Sequence, residues 1–469
     1  MKTVGLYTLG CKVSQYETEA IAEEFVRQGF TVCDFDSVCQ VYVINTCTVT
    51  AESDRKCRQI IRRAARKNPD GIILVCGCYS QRSPEKVAEL EGVSAVIGSG
   101  NKLGLVAVAK RLLSGLPAFE EDSALPEAGC QADGGSEKEG ETSSPKVIFS
   151  HGGRARVTDI YSEPFEDMKI TSAPRTRVYV KIEDGCECRC SYCAIPSARG
   201  RVRSKPREAV LEEVSDLARS GVREIVLTGI ETGSYGADFG TGYGLAELLC
   251  ELDSTGLVPR IRLGSLAPEL VGEKFCEKVK GLASLAPHFH ISLQSGSDNV
   301  LRRMRRRYTR AMALENIRRL KAAIPNAQFT TDLMVGFPGE SEADFLETVS
   351  LVREIGFLDC HVFAYSRRRG TQADLFADQI SEDVKRRRSE ELISVCRSVR
   401  DSVLDRAVES GEALSCILET ERDGVWSGHS DSFIEVCVPC DSGAELHGEI
   451  RRVLPVSHKN GVIIGKIID

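Results

Sequence analysis

Cys186, Cys190 and Cys193 occupy one short segment with the spacing Cys-x-x-x-Cys-x-x-Cys. Three thiolates converging from one tight loop can hold three irons of a 4Fe–4S cluster and leave the fourth iron without a protein ligand. An open iron can chelate the amino and carboxylate groups of S-adenosylmethionine, and an electron from the cluster can then split the sulfonium. The competing use of such thiols is a structural zinc site, which wants four tetrahedral ligands, typically as two separated pairs. Cys188 supplies a fourth thiol, but it stands two residues from each neighbour and no histidine lies nearby. Ligand logic therefore favours the cluster, with Cys188 an incidental loop residue.

Cys11, Cys47 and Cys78 form a second set. Each follows a stretch that reads as a β-strand: Thr3–Thr8, Val41–Asn45 and Ile72–Cys76. A parallel sheet brings the C-terminal ends of such strands to one edge, so distance along the chain is no obstacle to their meeting. Cys76, two residues before Cys78, competes for the third position; Cys57, about three helical turns past Cys47, is expected to point elsewhere. Cys33, Cys39, Cys250, Cys276, Cys360, Cys396 and Cys416 read as small core or surface thiols. Cys437-x-x-Cys440 has no second pair and is read as structure. A disulfide framework belongs to small exported chains, whereas these nineteen cysteines cluster in motifs of a 469-residue chain.

The elements around these thiols describe an α/β protein with four parts. Residues 1–116 alternate strand and helix, with helices over Glu17–Gln28, Arg55–Arg66 and Leu103–Leu113 and a further strand near Ala95–Ile97. Residues 117–171 read as a flexible acidic linker and connector, because Pro117–Pro145 is poor in bulky apolar residues and cannot offset the entropy of ordering it. From 172 to 407 six strands (Val178–Ile182, Glu224–Leu227, Arg260–Gly264, His288–Leu293, Phe329–Val335, His361–Tyr365) alternate with helices. That pattern predicts a partial parallel βα barrel with its chemistry at the C-terminal strand ends. After a charged helix over Ser381–Ala407, residues 408–469 break into short β-type runs suited to a small barrel.

Composition excludes little. The net charge of −7 is matched by Phe119–Pro145 alone, which carries eight acids and one base, so the remainder is neutral and its basic patches can meet phosphate. Arg302–Arg307 and Arg367–Arg369 are such patches, each past a barrel strand. A solvated face is the usual explanation of a basic run, but this position favours phosphate contacts by Arg303, Arg305, Arg306, Arg307 and Arg368. Trp426 and Phe433 are candidates for base stacking or for core. Met1–Tyr16 lacks a basic start followed by an apolar core, and no apolar run is long enough to cross a bilayer, so a cytoplasmic protein without membrane attachment is expected.

The loop Cys186–Cys193 with Ala194-Ile195-Pro196 and Arg199-Gly200 resembles the radical S-adenosylmethionine methylthiotransferase family. So do Leu227-Thr228-Gly229, His290–Gly296, Arg303-Met304, and Thr331-Asp332 with Gly336–Glu340. The resemblance spans nearly the whole chain outside the linker. It implies that Glu231, Ser292, Gln294, Gly336 and Glu340, at strand ends, contact S-adenosylmethionine; the plainer alternative gives Gly336–Gly339 to a tight turn and Ser292 and Gln294 to core hydrogen bonds. It implies that Gly10-Cys11-Lys12, Asn45–Val49 and Gly77-Cys78-Tyr79 frame the ligands of a second 4Fe–4S cluster, and that the last barrel is an RNA-holding TRAM domain. Leu9–Thr18 is similar to the branch that modifies threonylcarbamoyl-adenosine, although Ser14, Ala364 and Arg369 replace residues common in the family. The implied activity is methylthiolation of carbon 2 of that adenosine, 3′ to the anticodon in tRNA. An electron donor such as flavodoxin or ferredoxin and the tRNA anticodon stem-loop are the implied partners. The alternatives are isopentenyl-adenosine or a ribosomal-protein aspartate as substrate, and a non-catalytic zinc-stabilised RNA-binding protein.

Overall fold

The computed structural model describes residues 2–119, 146–151, 153–172, 175–440 and 445–469. The chain forms two compact units; the first comprises Met1–Ile170 with Asp184–Glu187 and Cys193–Arg203. Its centre is a sheet of β1 (Lys2–Thr8), β2 (Phe30–Cys33), β3 (Val41–Thr46), β4 (Ile72–Gly77), β5 (Val93–Ile97), β6 (Val147–His151) and β7 (Ala155–Thr158). The order is β2-β1-β3-β4-β5-β7-β6, parallel except at β6, which runs antiparallel to β7. All six residues of β3 are buried, as a parallel strand covered on both faces requires. Helix α1 (Lys12–Arg27) buries Val13, Tyr16, Ala20, Ile21 and Phe25 at helical spacing. In α2 (Ala51–Lys67) the buried set is Cys57, Ile61 and Ala64, and the Thr50 hydroxyl caps its first turn by accepting from the Ser53 amide at 3.1 Å. Strand order turns between β1 and β3, so their C-terminal ends open a crevice.

The expected linker over 117–171 divides. Residues 120–145, with Cys130, lie outside the described residues. Residues 146–170 instead fold onto the first unit: β7 and β6 extend the sheet, Gln81 Nε2 donates to the Thr158 carbonyl at 2.9 Å, and Tyr16 Oη donates to that of Met168 at 2.5 Å. The physical reason is local, because the polar low-complexity composition stops at Pro145 and Val147–Phe149 and Arg156–Thr158 resume a strand pattern. Residues 184–187 and 193–203 likewise pack with the first unit rather than with the barrel that surrounds them in sequence.

The second unit comprises Thr171–Glu183, Cys188–Tyr192 and Ser204–Asp469. Arg177–Lys181, Glu224–Thr228 and Arg260–Leu263 pair in parallel as one sheet; Ser265–Leu266, His288–Gln294, Gln328–Val335 and Asp359–Ala364 pair in parallel as another. The third strand breaks at Gly264 and so belongs to both sheets, which makes the expected partial barrel. A helix over Glu382–Ser410 leads to a closed five-stranded barrel, Leu414–Arg422, Val425–Ser430, Glu435–Pro439, Ile450–Lys459 and Val462–Ile467. Buried charge fastens this barrel to the larger one. Glu224, fully buried, pairs with Arg260 at 3.1 Å and Arg262 at 2.7 Å, and these arginines donate to Ser415, Ser430 and Asp431. Phe433 lies under Arg262 and Arg177 and stacks on His288 at 4.5 Å, while Trp426 is core with Leu418 and Leu446. Trp426 is thus part of the barrel core, and half-buried Phe433 packs at the junction of the two barrels. Among the described residues no helix is long and apolar enough to cross a membrane.

Candidate metal centres

Cys11 caps the N-terminus of α1, Cys47 directly follows β3, and Cys78 opens a short helix, Cys78–Arg82. The Gly77-Cys78 frame has a steric reason: Gly77 has φ of 96°, and a Cβ there would stand 2.4 Å from Asn45 Oδ1 and 2.6 Å from the Thr46 carbonyl. Asn45 in turn donates to the Ser14 carbonyl at 3.0 Å, tying the β3 end to the first turn of α1, and the Ser14 hydroxyl lies 3.8 Å from the Cys11 sulfur. Burial pushes the Cys47 thiol up to about 11, with Cys78 and Cys11 adding to the shift, and burial likewise raises Cys78. Cys78 and Cys11 thus lie near enough to Cys47 to oppose its ionisation.

Beneath Cys78 lies a buried charge network. The Arg199 Nε donates to the Cys78 sulfur at 3.1 Å, and its two other nitrogens pair with Glu17 at 2.5 and 3.1 Å and with Asp184 at 3.2 Å. Lys102 Nζ reaches the same Glu17 carboxylate at 3.1 Å, and the side chains of Glu17, Lys102 and Arg199 are wholly buried. Burial opposes the Arg199 charge, but Cys78, Glu17 and Asp184 more than compensate, so its pKa stands well above the ordinary value. Cys76 is buried toward Lys102 and Glu17, its thiol pushed up to about 12 by burial. Cys57 comes closer than expected: its Sγ donates to the Cys47 carbonyl at 3.4 Å, and burial takes it to about 12.

Cys186, Cys190 and Cys193 are all half-buried. The Cys186 amide donates to the Gly200 carbonyl at 3.0 Å, and the Cys193 sulfur accepts from the Ile195 amide at 3.4 Å. Cys190 receives Arg306 Nη1 at 3.5 Å, while Arg306 Nη2 donates to the Ser292 carbonyl at 2.8 Å. Ser191 pins the loop to the basic segment through the Arg303 and Met304 carbonyls. Among the described residues no three His, Cys, Asp or Glu side chains converge on a single metal ion.

The strand-end residues fall into two groups. Glu231 is buried, accepts the Ala267 amide at 3.0 Å, and is raised to about 7 by burial. Ser292 is half-buried, and Gln294 has φ of 68° where the strand bulges, a left-handed conformation uncommon outside glycine that re-aims the strand end. Glu340 differs: one oxygen takes the Gly336 amide at 2.5 Å and Arg388 at 2.8 Å, so that amide and oxygen brace the turn. The other Glu340 oxygen is buried with no hydrogen-bond partner among the described residues.

The basic run is also redistributed. Arg303 is occupied by Asp378 at 2.6 Å and the Pro338 carbonyl, Arg306 by Cys190 and Ser292, and Arg368 is buried. Of the residues expected to meet phosphate, Arg303 and Arg306 are half-buried and Arg368 is buried, whereas Arg305 and Arg307 are exposed, as is Arg302.

Residues 180–352 match the Radical SAM superfamily, and residues 3–98 match the Uncharacterized protein family UPF0004. The threonylcarbamoyladenosine tRNA methylthiotransferase MtaB of Bacillus subtilis is 38% identical over 93% of this chain and 90% of its own length. The enzyme of the same name from Thermotoga maritima is 34% identical over 93% and 91%. The chain belongs to the radical S-adenosylmethionine methylthiotransferase family.

A tRNA-2-methylthio-N(6)-dimethylallyladenosine synthase of Pelotomaculum thermopropionicum is 31% identical to this methylthiotransferase over 90% of the chain and 88% of its own length. Among solved structures, the radical S-adenosylmethionine methyltransferase TsrM from Kitasatospora setae superposes with a TM-score of 0.53 at 14% identity, covering 90% of this chain and 79% of that one, a likeness of fold. The family brings a 4Fe–4S cluster and S-adenosylmethionine. The donor set of this methylthiotransferase fits them, since the Cys186–Cys193 loop offers soft thiolates and Glu231 and the open Glu340 oxygen are buried acceptors. Lys102 and Asp184 carried no sequence signal, whereas Glu17 and Arg199 stood in family-like segments without a visible task.

Proposed function

We propose that the chain transfers a methylthio group to carbon 2 of threonylcarbamoyl-modified adenosine, 3′ to the anticodon in tRNA. The observation that carries this is near-full-length similarity to enzymes named for that reaction, joined to a second thiol set in the residues that match the N-terminal family. On this reading Cys186, Cys190 and Cys193 hold one cluster and Cys11, Cys47 and Cys78 a second. When bound, these groups and S-adenosylmethionine supply a 5′-deoxyadenosyl radical and a methylated sulfur, which an unreactive aromatic carbon requires.

The chain's own residues bind and orient. Glu231, protonated near neutrality, offers a carboxyl to the methionine part of the cofactor and gains charge when an amine approaches. Arg306 holds the Cys190 sulfur and the Ser292 carbonyl in place. Arg302, Arg305 and Arg307 meet phosphate, and the five-stranded barrel, as a TRAM-like module, holds RNA. We place the reaction in the cytoplasm, with flavodoxin or ferredoxin as electron donor.

The test is expression in a host lacking its own enzyme, followed by nucleoside mass spectrometry. The 2-methylthio form of threonylcarbamoyl-adenosine is expected. Appearance instead of 2-methylthio-isopentenyl-adenosine would follow the Pelotomaculum relative and overturn the substrate, and a methylthiolated ribosomal protein with unmodified tRNA would overturn the RNA reading.

A further inference from the structure

We propose that Arg199 is a positioning residue for the second cluster, holding the Cys78 sulfur by a hydrogen bond that favours the reduced, more negative state. The proposal rests on the reading that Cys11, Cys47 and Cys78 carry a cluster, and it concerns a residue outside that ligand set. The Arg199 Nε stands 3.1 Å from the Cys78 sulfur, wholly shielded from water. A guanidinium is a rigid plane, so fixing two nitrogens fixes the direction of the third. Glu17 takes both terminal nitrogens and Asp184 takes one again, which leaves the Nε–H aimed at sulfur. Lys102 pairs with the same Glu17, and Arg203 lies 3.8 Å from Asp184, so three cations share two carboxylates beside the sulfur. The paired charges keep Arg199 protonated in a dry site where its loss would leave Glu17 with Lys102 alone.

Hydrogen bonds to cluster sulfurs and local charge set the reduction potential. A cationic donor stabilises the state with one more electron, so its removal lowers the potential. Arg199 lies six residues after Cys193, on the segment 193–203 that packs with the first unit. The stretch that supplies a ligand to one centre therefore also supplies the support of the other.

The test uses the full chain with Cys186, Cys190 and Cys193 each changed to Ala, which keeps one thiol set, with and without Arg199→Lys. Lysine retains the charge for Glu17, but its compact ammonium cannot serve Glu17 and Cys78 together. Both proteins are expected to hold about four irons. Anaerobic redox titration should show Arg199→Lys with a reduction equilibrium at least tenfold less favourable, about 59 mV for one electron. Equal potentials at equal iron content overturn the proposal. Absence of iron from the parent overturns the two-cluster reading, and this proposal with it. Should Arg199→Lys not fold, pulsed electron paramagnetic resonance of the reduced parent carrying ¹⁵N-arginine decides: a nitrogen coupling is expected, and its absence contradicts the assignment.

Discussion

At the scale of single residues, the account depends on side chains whose surroundings oppose their ordinary charge. Glu231 retains its proton to about pH 7, because burial penalises its carboxylate. Its folded pKa is raised, so the folded state binds more protons than the unfolded state between about pH 4.5 and 7, and stability falls as pH rises through that window. Glu231→Gln removes this dependence. Urea unfolding of the metal-free protein at pH 5 and pH 7 should show a loss in the parent of about 2 kcal/mol that the variant lacks. The cysteines themselves were legible, because thiol spacing and strand ends are written in the sequence. The arginines were not: Arg306 and Arg305 look alike in a basic run, yet one touches the Cys190 sulfur and the other is exposed. Only the fold of Asp298–Arg303 and the turn after it separates them.

At the scale of elements, close approaches decide which residues are permitted. A Cβ on Gly229 would stand 2.5 Å from Glu183 Oε2, the oxygen that accepts the Glu231 amide at 2.9 Å. Gly229→Ala should therefore displace the Glu231 loop, cost about 1–3 kcal/mol by overpacking, and weaken S-adenosylmethionine binding, measured by calorimetry on the reconstituted protein. The junction between the two barrels makes a separate prediction. Arg262→Met leaves Glu224 buried with Arg260 alone and should cost about 3 kcal/mol, with faster hydrogen exchange across 414–467 than elsewhere. The six longer parallel barrel strands were legible from their strand pattern, whereas the two-residue Ser265–Leu266 was not. Phe30–Cys33 was not, being four residues at a sheet edge, and neither were β6 and β7, which follow a biased segment whose composition overshadows them.

At the scale of the whole molecule, the overall charge of −7 hides a nearly neutral protein with local basic patches. Changing Arg302, Arg305 and Arg307 to Gln together should leave the fold intact, since all three are exposed. Affinity for the anticodon stem-loop should fall, and the slope of its logarithm against the logarithm of salt concentration should shrink by about 2. An unchanged slope would place the RNA elsewhere. The central claim is that two thiol sets, far apart in sequence, each hold their own cluster. Anaerobic iron and acid-labile sulfide analysis tests it most directly, on the parent and on two variants in which Cys186/Cys190/Cys193 or Cys11/Cys47/Cys78 are replaced by Ala. About eight irons in the parent and about four in each variant are predicted; four in the parent with none lost on replacing Cys11, Cys47 and Cys78, or zinc without sulfide, would contradict it.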